Sequence, residues 1–278
     1  MWRYRYLNGK IVTRSVVGLI AIFAVAVMVL PAVGGVTSTV SSQVTLPAMA
    51  PANHIIAPAT TCNGIVTSSS GNWGGYAVQS CLKSPSKDVV TKVVGSWVEP
   101  AVKCTKTSLS GFWVGIDGYT STSVEQTGTA AGCTGTSPYY YAWYEMYPAS
   151  PVTISKMKVT PGDTLTASVT YNSAKKFVLA IKDVTTGVSF SIAKALASAA
   201  RSSAEWIVEV PGSALADFGT VTFSGCSATI SGVTGPIQTS TSTWEAADLS
   251  IGTSTTHQET TGSLNSAGNG FTATWLAL

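Results

Sequence analysis

Between residues 63 and 278, short runs of Val, Ile, Thr, Trp and Tyr alternate with clusters of Gly, Ser, Pro and Asn. The runs at 73–79, 89–98, 111–117, 139–147, 164–171, 177–183, 204–210, 220–230 and 271–276 have the length and composition of β-strands. Only Ile192 to Ala200, rich in Ala, offers about two turns of helix as an alternative. There is no internal repeat. The 216 residues from 63 onward suffice for one large domain. At that size and strand number the pattern predicts an all-β domain of two packed antiparallel sheets, because each sheet must bury one face.

Alternation within three runs separates a core face from a polar one. In AEWIVEV (204–210), Glu205, Ile207 and Glu209 point one way, and Trp206, Val208 and Val210 the other. In YYYAWYEMYP (139–148), Tyr139, Tyr141, Trp143, Glu145 and Tyr147 share a face that combines stacking surface with a carboxylate. Trp113, Gly115 and Asp117 alternate against Phe112, Val114 and Ile116 in the third. The three polar faces together could line a groove.

The N-terminal part changes the picture of charge. Arg3, Arg5, Lys10 and Arg14 precede an apolar run from Val16 to Leu30 and then the small residues of 31–35, the layout of a secretory signal. A retained membrane anchor is the competing reading of that run. Residues 36–62, rich in Ser, Thr, Pro and Ala without apolar periodicity, read as a linker or removable pro-segment outside the core. Without the four basic residues of the leader, 12 Lys and Arg face 13 Asp and Glu. No nucleic-acid footprint is left, and no membrane attachment is expected after signal removal. So few carboxylates in a Ser- and Thr-rich surface leave little to lose in acid, since acid denaturation works largely by protonating paired carboxylates.

Export permits disulfides. Of the five cysteines at 62, 81, 104, 133 and 226, the pair Cys104 and Cys133 is favoured because it brackets a compact segment, and the odd count leaves one unpaired, lost or intermolecular. With no C-x-x-C and only two His, a zinc site is not expected, nor any other cofactor. A Ser-His-Asp triad fails on the same count, since His54 lies in the expected pro-segment and His257 stands alone. GIDG (115–118) and PGD (161–163) do not make a pepsin-like aspartic dyad. Three classes remain: a carboxylate-based peptidase, a glycosidase pairing Glu209 with Glu145 or Glu205, and a carbohydrate-binding sandwich without catalysis.

Eight segments occur in register: NWGGYAV (72–78), GSWVEP (95–100), FWVGIDG (112–118), EQTG (125–128), YAWYEMYP (141–148), PGDTL (161–165), AEWIVEVP (204–211) and FSGC (223–226). Together they resemble the eqolisin family of secreted glutamic peptidases. The resemblance implies a concanavalin A-like β-sandwich of about seven antiparallel strands per sheet. It also implies a monomeric, pepstatin-insensitive, acid-active endopeptidase that cuts polypeptides and needs no metal. Gln126 and Glu209 would be the catalytic pair, with Trp73, Trp113, Asp117, Glu145 and Tyr147 around the substrate groove and Glu205 as a neighbour of the site. This chain departs from fungal members in carrying Glu125 where they have an apolar residue, and Tyr141 where they have Asp. Alternation points Glu125 away from Gln126.

Overall fold

The structure is a computed structural model that describes residues 46–276 apart from 56–61, 213, 254 and 257. The expected signal at 1–35 and His257 lie outside the described residues. The described residues fall in one compact unit, Val44–Leu278.

One sheet has nine strands in the order β1 (His54–Ile55), β2 (Gly64–Ser70), β15 (Glu245–Ile251), β3 (Trp73–Gln79), β12 (Ser203–Glu209), β5 (Ser108–Ile116), β6 (Val124–Thr134), β7 (Ser137–Tyr147) and β8 (Val152–Thr153). The other has eight: β11 (Ser189–Lys194), β10 (Phe177–Asp183), β9 (Thr164–Tyr171), β4 (Val90–Val98), β13 (Thr220–Ile230), β17 (Phe271–Trp275) and β16 (Glu259–Thr261), with β14 (Val233–Gly235) paired to β13. The all-β sandwich expected from the strand pattern is therefore present. Three details differ from expectation. The sheets carry nine and eight strands instead of about seven, and β2 pairs with β15 in parallel, so the first sheet is mixed. Ile192 lies in strand β11 and 195–200 are irregular, because a strand laid against β10 satisfies backbone groups that two turns of Ala-rich helix would leave largely open at both ends.

The inner faces follow the alternation read from the sequence. Phe112, Val114 and Ile116 of β5, Trp206 and Val208 of β12 and Tyr76 and Val78 of β3 meet Trp97, Leu179 and Phe223 of the opposite sheet in one core. Trp206 donates its indole N–H to the carbonyl of Val94 at 2.7 Å, so the largest side chain of β12 also satisfies its one polar atom across the layer. The outer face of the nine-stranded sheet carries a second apolar cluster, with Trp73, Trp113, Trp143 and Ile207. This face forms the floor of the groove.

Residues of the expected pro-segment cover that floor. Met49 is 1% exposed and belongs to the second cluster, His54 and Ile55 pair with Ser70 and Ser69, and Cys62 is joined to Cys81. Within the segment read as a linker or pro-segment, Met49 is thus packed into the groove floor, 54–55 extend the sheet edge and Cys62 is tied to the domain by its disulfide. Small side chains with free backbone groups can add to a sheet edge without any apolar period of their own. Cys104 and Cys133 form the second disulfide, and Cys226 is a buried free thiol.

Gly128 of β6 shows how closely the floor is assembled. A Cβ there would stand 2.1 Å from the Phe112 carbonyl oxygen and 2.6 Å from the Trp113 Cβ, both on the neighbouring strand. Gly128→Ala therefore forces β5 and β6 apart two residues from Gln126, and overpacking of this kind costs about 1–3 kcal/mol or more. A loss of roughly 6–12 °C in Tm is expected at the upper end of that range, measurable by calorimetry.

Candidate active site

Strand register places the candidate residues on one surface. Glu209 closes β12 directly between Trp73 of β3 and Gly111 of β5, and Gln126 of β6 lies opposite Gly115 of β5 and Glu145 of β7. Trp113 stands between them and donates its indole N–H to Glu209 Oε2 at 3.0 Å. Its ring meets that of Trp73 edge-on, with centroids 4.9 Å apart. Asn72 Nδ2 approaches Glu209 Oε1 at 3.5 Å. Gln126 Nε2 donates to Glu145 Oε2 at 2.9 Å, while Gln126 Oε1 accepts no hydrogen bond from the described residues. The amide orientation follows from its neighbours, since Nε2 sits among acceptors and only nitrogen can serve them.

The backbone of 49–53 runs between these groups. Gln126 Nε2 donates to the Met49 carbonyl at 2.8 Å, and the Met49 N–H donates to Glu145 Oε2 at 3.1 Å. One residue on, the Ala50 carbonyl accepts the Trp73 indole N–H at 2.9 Å. Asn72 Nδ2 also reaches the carbonyls of Ala50 and Pro51, at 3.3 and 3.1 Å. The site therefore grips a peptide by its main chain.

Burial sets the electrostatics. It holds the Glu209 carboxyl well above the usual carboxylate range, with the charge of Glu145 adding to the effect and the donors Trp113, Ala50 and Trp73 opposing it. Glu145 is pushed up to about 8, again by burial, against hydrogen bonds from Met49 and Gln126. Two neighbouring carboxyls that are both out of water disfavour each other's ionisation.

The remaining candidates separate. Tyr147 is half-buried against the groove cluster with Tyr141, and Trp143 lies in the floor. Asp117 is turned instead to the 201–202 loop, where it accepts the N–H groups of Arg201 and Ser202 at 2.6 and 2.9 Å. Its left-handed backbone, with φ 73°, ends β5 and makes that turn. Glu125 pairs with Ile116, on the inner face opposite to Gln126. Glu205 is wholly buried and lies within electrostatic reach of Asp117 and Glu125, so the two glutamates of AEWIVEV serve different clusters. Sequence reasoning passed over Asn72, although it begins the first motif, and Met49, whose only signal was a single long apolar side chain in a stretch of small residues.

Comparison with known proteins bears on the family and the fold. Aspergillopepsin-2 of Aspergillus niger is 30% identical over 194 residues, covering 59% of this chain and 66% of that protein. Scytalidopepsin B of Scytalidium lignicola is 33% identical over 142 residues, covering 50% of this chain and 51% of that protein. The chain thus spans between half and two thirds of the length of these relatives. Among solved structures, scytalido-glutamic peptidase with a transition state analog inhibitor superposes with a TM-score of 0.61 at 25% identity, over 74% of this chain and 98% of that one. Aspergilloglutamic peptidase from Aspergillus niger gives 0.53 at 30% identity, over 61% and 99%. Residues 71–272 match the peptidase A4 family, and with the eqolisin motifs in register along the same stretch, the chain belongs to that family.

Proposed function

We propose that this protein is an acid-active glutamic endopeptidase that hydrolyses polypeptides outside the cell, with Glu209 and Gln126 as its catalytic pair. The observation that carries the reading is a peptide backbone held across the site: the Met49 carbonyl on Gln126 Nε2 and the Met49 N–H on Glu145, with Glu209 held beside them by the Trp113 indole N–H. A donor 2.8 Å from a carbonyl oxygen is where an oxyanion is stabilised as the tetrahedral intermediate forms. Because an amide carries no charge, this stabilisation does not change with pH. Gln126 Oε1 and the ionised Glu209 carboxylate can together orient a water, and Glu209 takes its proton as the oxygen adds to the carbonyl carbon. The same carboxyl then returns a proton to the leaving nitrogen.

Glu145 holds the Gln126 amide in place and, with Met49 N–H as its second donor, also fixes the backbone of the residue whose carbonyl meets that amide. Trp113 and Asn72 position the Glu209 carboxyl. Grip on the main chain instead of on sugar hydroxyls favours peptide over polysaccharide as substrate. Export is supported by the leader-like sequence of 1–35 and by two disulfides, which persist in oxidising compartments.

The test is digestion of acid-unfolded casein in mild acid, with and without pepstatin. Cleavage in both conditions is expected. Retention on insoluble polysaccharide without proteolysis, or release of reducing sugar, would replace the peptidase reading with one of its two competitors.

A further inference from the structure

We propose that the cleft between the β9–β10 turn and the loop of 195–201 is a binding site for a carboxylate on a short apolar body, the chemistry shared by the C-terminal end of a peptide and a small aliphatic acid. Arg201 takes the carboxylate, and Lys175 and Lys176 attract it. None of the residues lining the cleft belongs to the candidate active site, so the inference stands independently of the peptidase reading.

The cleft encloses about 630 Å³, an ordinary volume for a small-molecule site. Its lining combines three cations, Arg201, Lys175 and Lys176, with the Tyr171 ring and the apolar side chains of Leu196 and Ala199. Asp88 is the one carboxylate in that lining, and its side chain is 74% exposed. The local charge is therefore positive, beside a wall that no ion can satisfy.

Arg201 is held ready for an anion. Its side chain is 13% exposed, and its guanidinium carbon lies 4.1 Å from the centroid of the Tyr171 ring, a contact that orients the charged plane. The backbone is fixed as well. The Arg201 N–H donates to Asp117 Oδ2 at 2.6 Å, and its carbonyl accepts the N–H groups of Val89 and Val90 at 3.2 and 3.0 Å. With φ at 48°, the residue sits in the left-handed region, which other side chains than glycine adopt only where such bonds impose it. Of the several N–H donors of the guanidinium, Asp88 Oδ1 takes one, on Nη2, among the described residues. Donors so far withdrawn from water require acceptors, and a carboxylate answers them bidentately.

The two lysines stand on a turn that is itself rigid. Asn172 Oδ1 accepts the N–H groups of Ala174 and Lys176 at 3.0 and 3.1 Å, and the Asn172 N–H donates to the Lys176 carbonyl at 2.9 Å. Neither lysine is in an ion pair among the described residues, so their charge is free to draw an anion into the cleft. A bare inorganic anion would leave Leu196 and Ala199 uncovered, whereas an aliphatic body removes them from water. An α-carboxyl ionises near about 3.5 and is still a carboxylate in mild acid.

The experiment is a calorimetric titration of the full chain at about pH 5, above the ionisation of the ligands, with N-acetyl-leucine, N-acetyl-leucinamide, isocaproate and inorganic phosphate. Saturable binding of N-acetyl-leucine or isocaproate is expected, with the amide at least about tenfold weaker, the weight of one charge-assisted hydrogen bond. Tighter binding of N-acetyl-leucine assigns the site to peptide ends, and equal or tighter binding of isocaproate assigns it to free acids; both support the proposal. Arg201→Gln should weaken binding by at least about tenfold on the same ground. The double variant Lys175→Asn, Lys176→Ser changes only exposed side chains, keeps the fold, and should weaken binding while flattening its dependence on salt. It carries the test if Arg201→Gln does not fold. Absence of binding by both acids, an amide that binds as tightly, phosphate that binds more tightly than either acid, or affinity unchanged in the lysine variant overturns the proposal and leaves the peptidase reading untouched.

Discussion

Glu209→Gln is expected to lower kcat on casein in mild acid by about 10²–10⁴-fold, the usual contribution of a positioned general acid or base, while the fold stays intact. The substitution keeps the shape of the side chain and an acceptor oxygen for the Trp113 indole N–H, 3.0 Å away in the native protein. It removes only the ability to exchange a proton. Stability should not fall, because burial already holds the Glu209 carboxyl toward its neutral form, which an amide mimics. Thermal melts of variant and native chain in acid should coincide within about 2–4 °C, equivalent to roughly 1 kcal/mol in a domain of this size. Undiminished turnover by a folded variant would sink the assignment of Glu209, and equal loss of fold and activity would show a structural role.

The strands that were legible in the sequence are those whose apolar residues alternate or run together. Strands β3, β9, β10 and β13 occupy 73–79, 164–171, 177–183 and 220–230, with the bounds expected from pattern alone. Strand β6 was not read from periodicity, although it carries Gln126. Its sequence VEQTGTAAGCT is small and polar, yet ten of its eleven residues are buried, because it lies between β5 and β7 where side-chain volume must be low. Strand β15 (EAADLSI) escaped for the same reason, and β2 (GIVTSSS) because an outer position demands few apolar residues.

The site was legible only through the ordered motifs, since opposing strands far apart in sequence bring Glu209 and Gln126 to one floor. That 49–53 would fill the groove was not legible at all. Backbone hydrogen bonds to a groove leave almost no trace in side-chain composition, and Met49 alone marked the segment.

Stability should fall steeply as pH rises, the reverse of ordinary acid denaturation. Glu99, Glu145 and Glu259 are pushed up to about 8 and Glu125 to about 9, in each case chiefly by burial, while Glu205 and Glu209 are raised well above the usual range. Asp248 rises to about 6, also chiefly through burial. In the unfolded chain these groups ionise near their ordinary values, about 3.9 for Asp and 4.3 for Glu. Below that range both states hold the protons and stability is fully present. Above it the unfolded state releases protons that the folded state keeps, so the folded state loses ground until its own carboxyls ionise near 8–9. Each pH unit in that window costs about 1.4 kcal/mol per group. Several groups over about three units would approach the whole stability of a typical domain, roughly 5–15 kcal/mol.

Acid itself removes little, because the ion pair recorded among the described residues, Arg201 with Asp88, has an Asp side chain 74% exposed. Melting temperature should therefore be flat in acid and drop through pH 5–9 as those carboxyls ionise. A Tm that rises across this interval would refute the argument. Activity then has two limbs of different origin. Glu209 must lose its proton to act as the base, so turnover climbs as it ionises, and the fall on the alkaline side follows unfolding. A return of activity after brief exposure to pH 8 and re-acidification, at the rate of refolding, would separate loss of fold from titration of the catalytic carboxyl, which recovers at once.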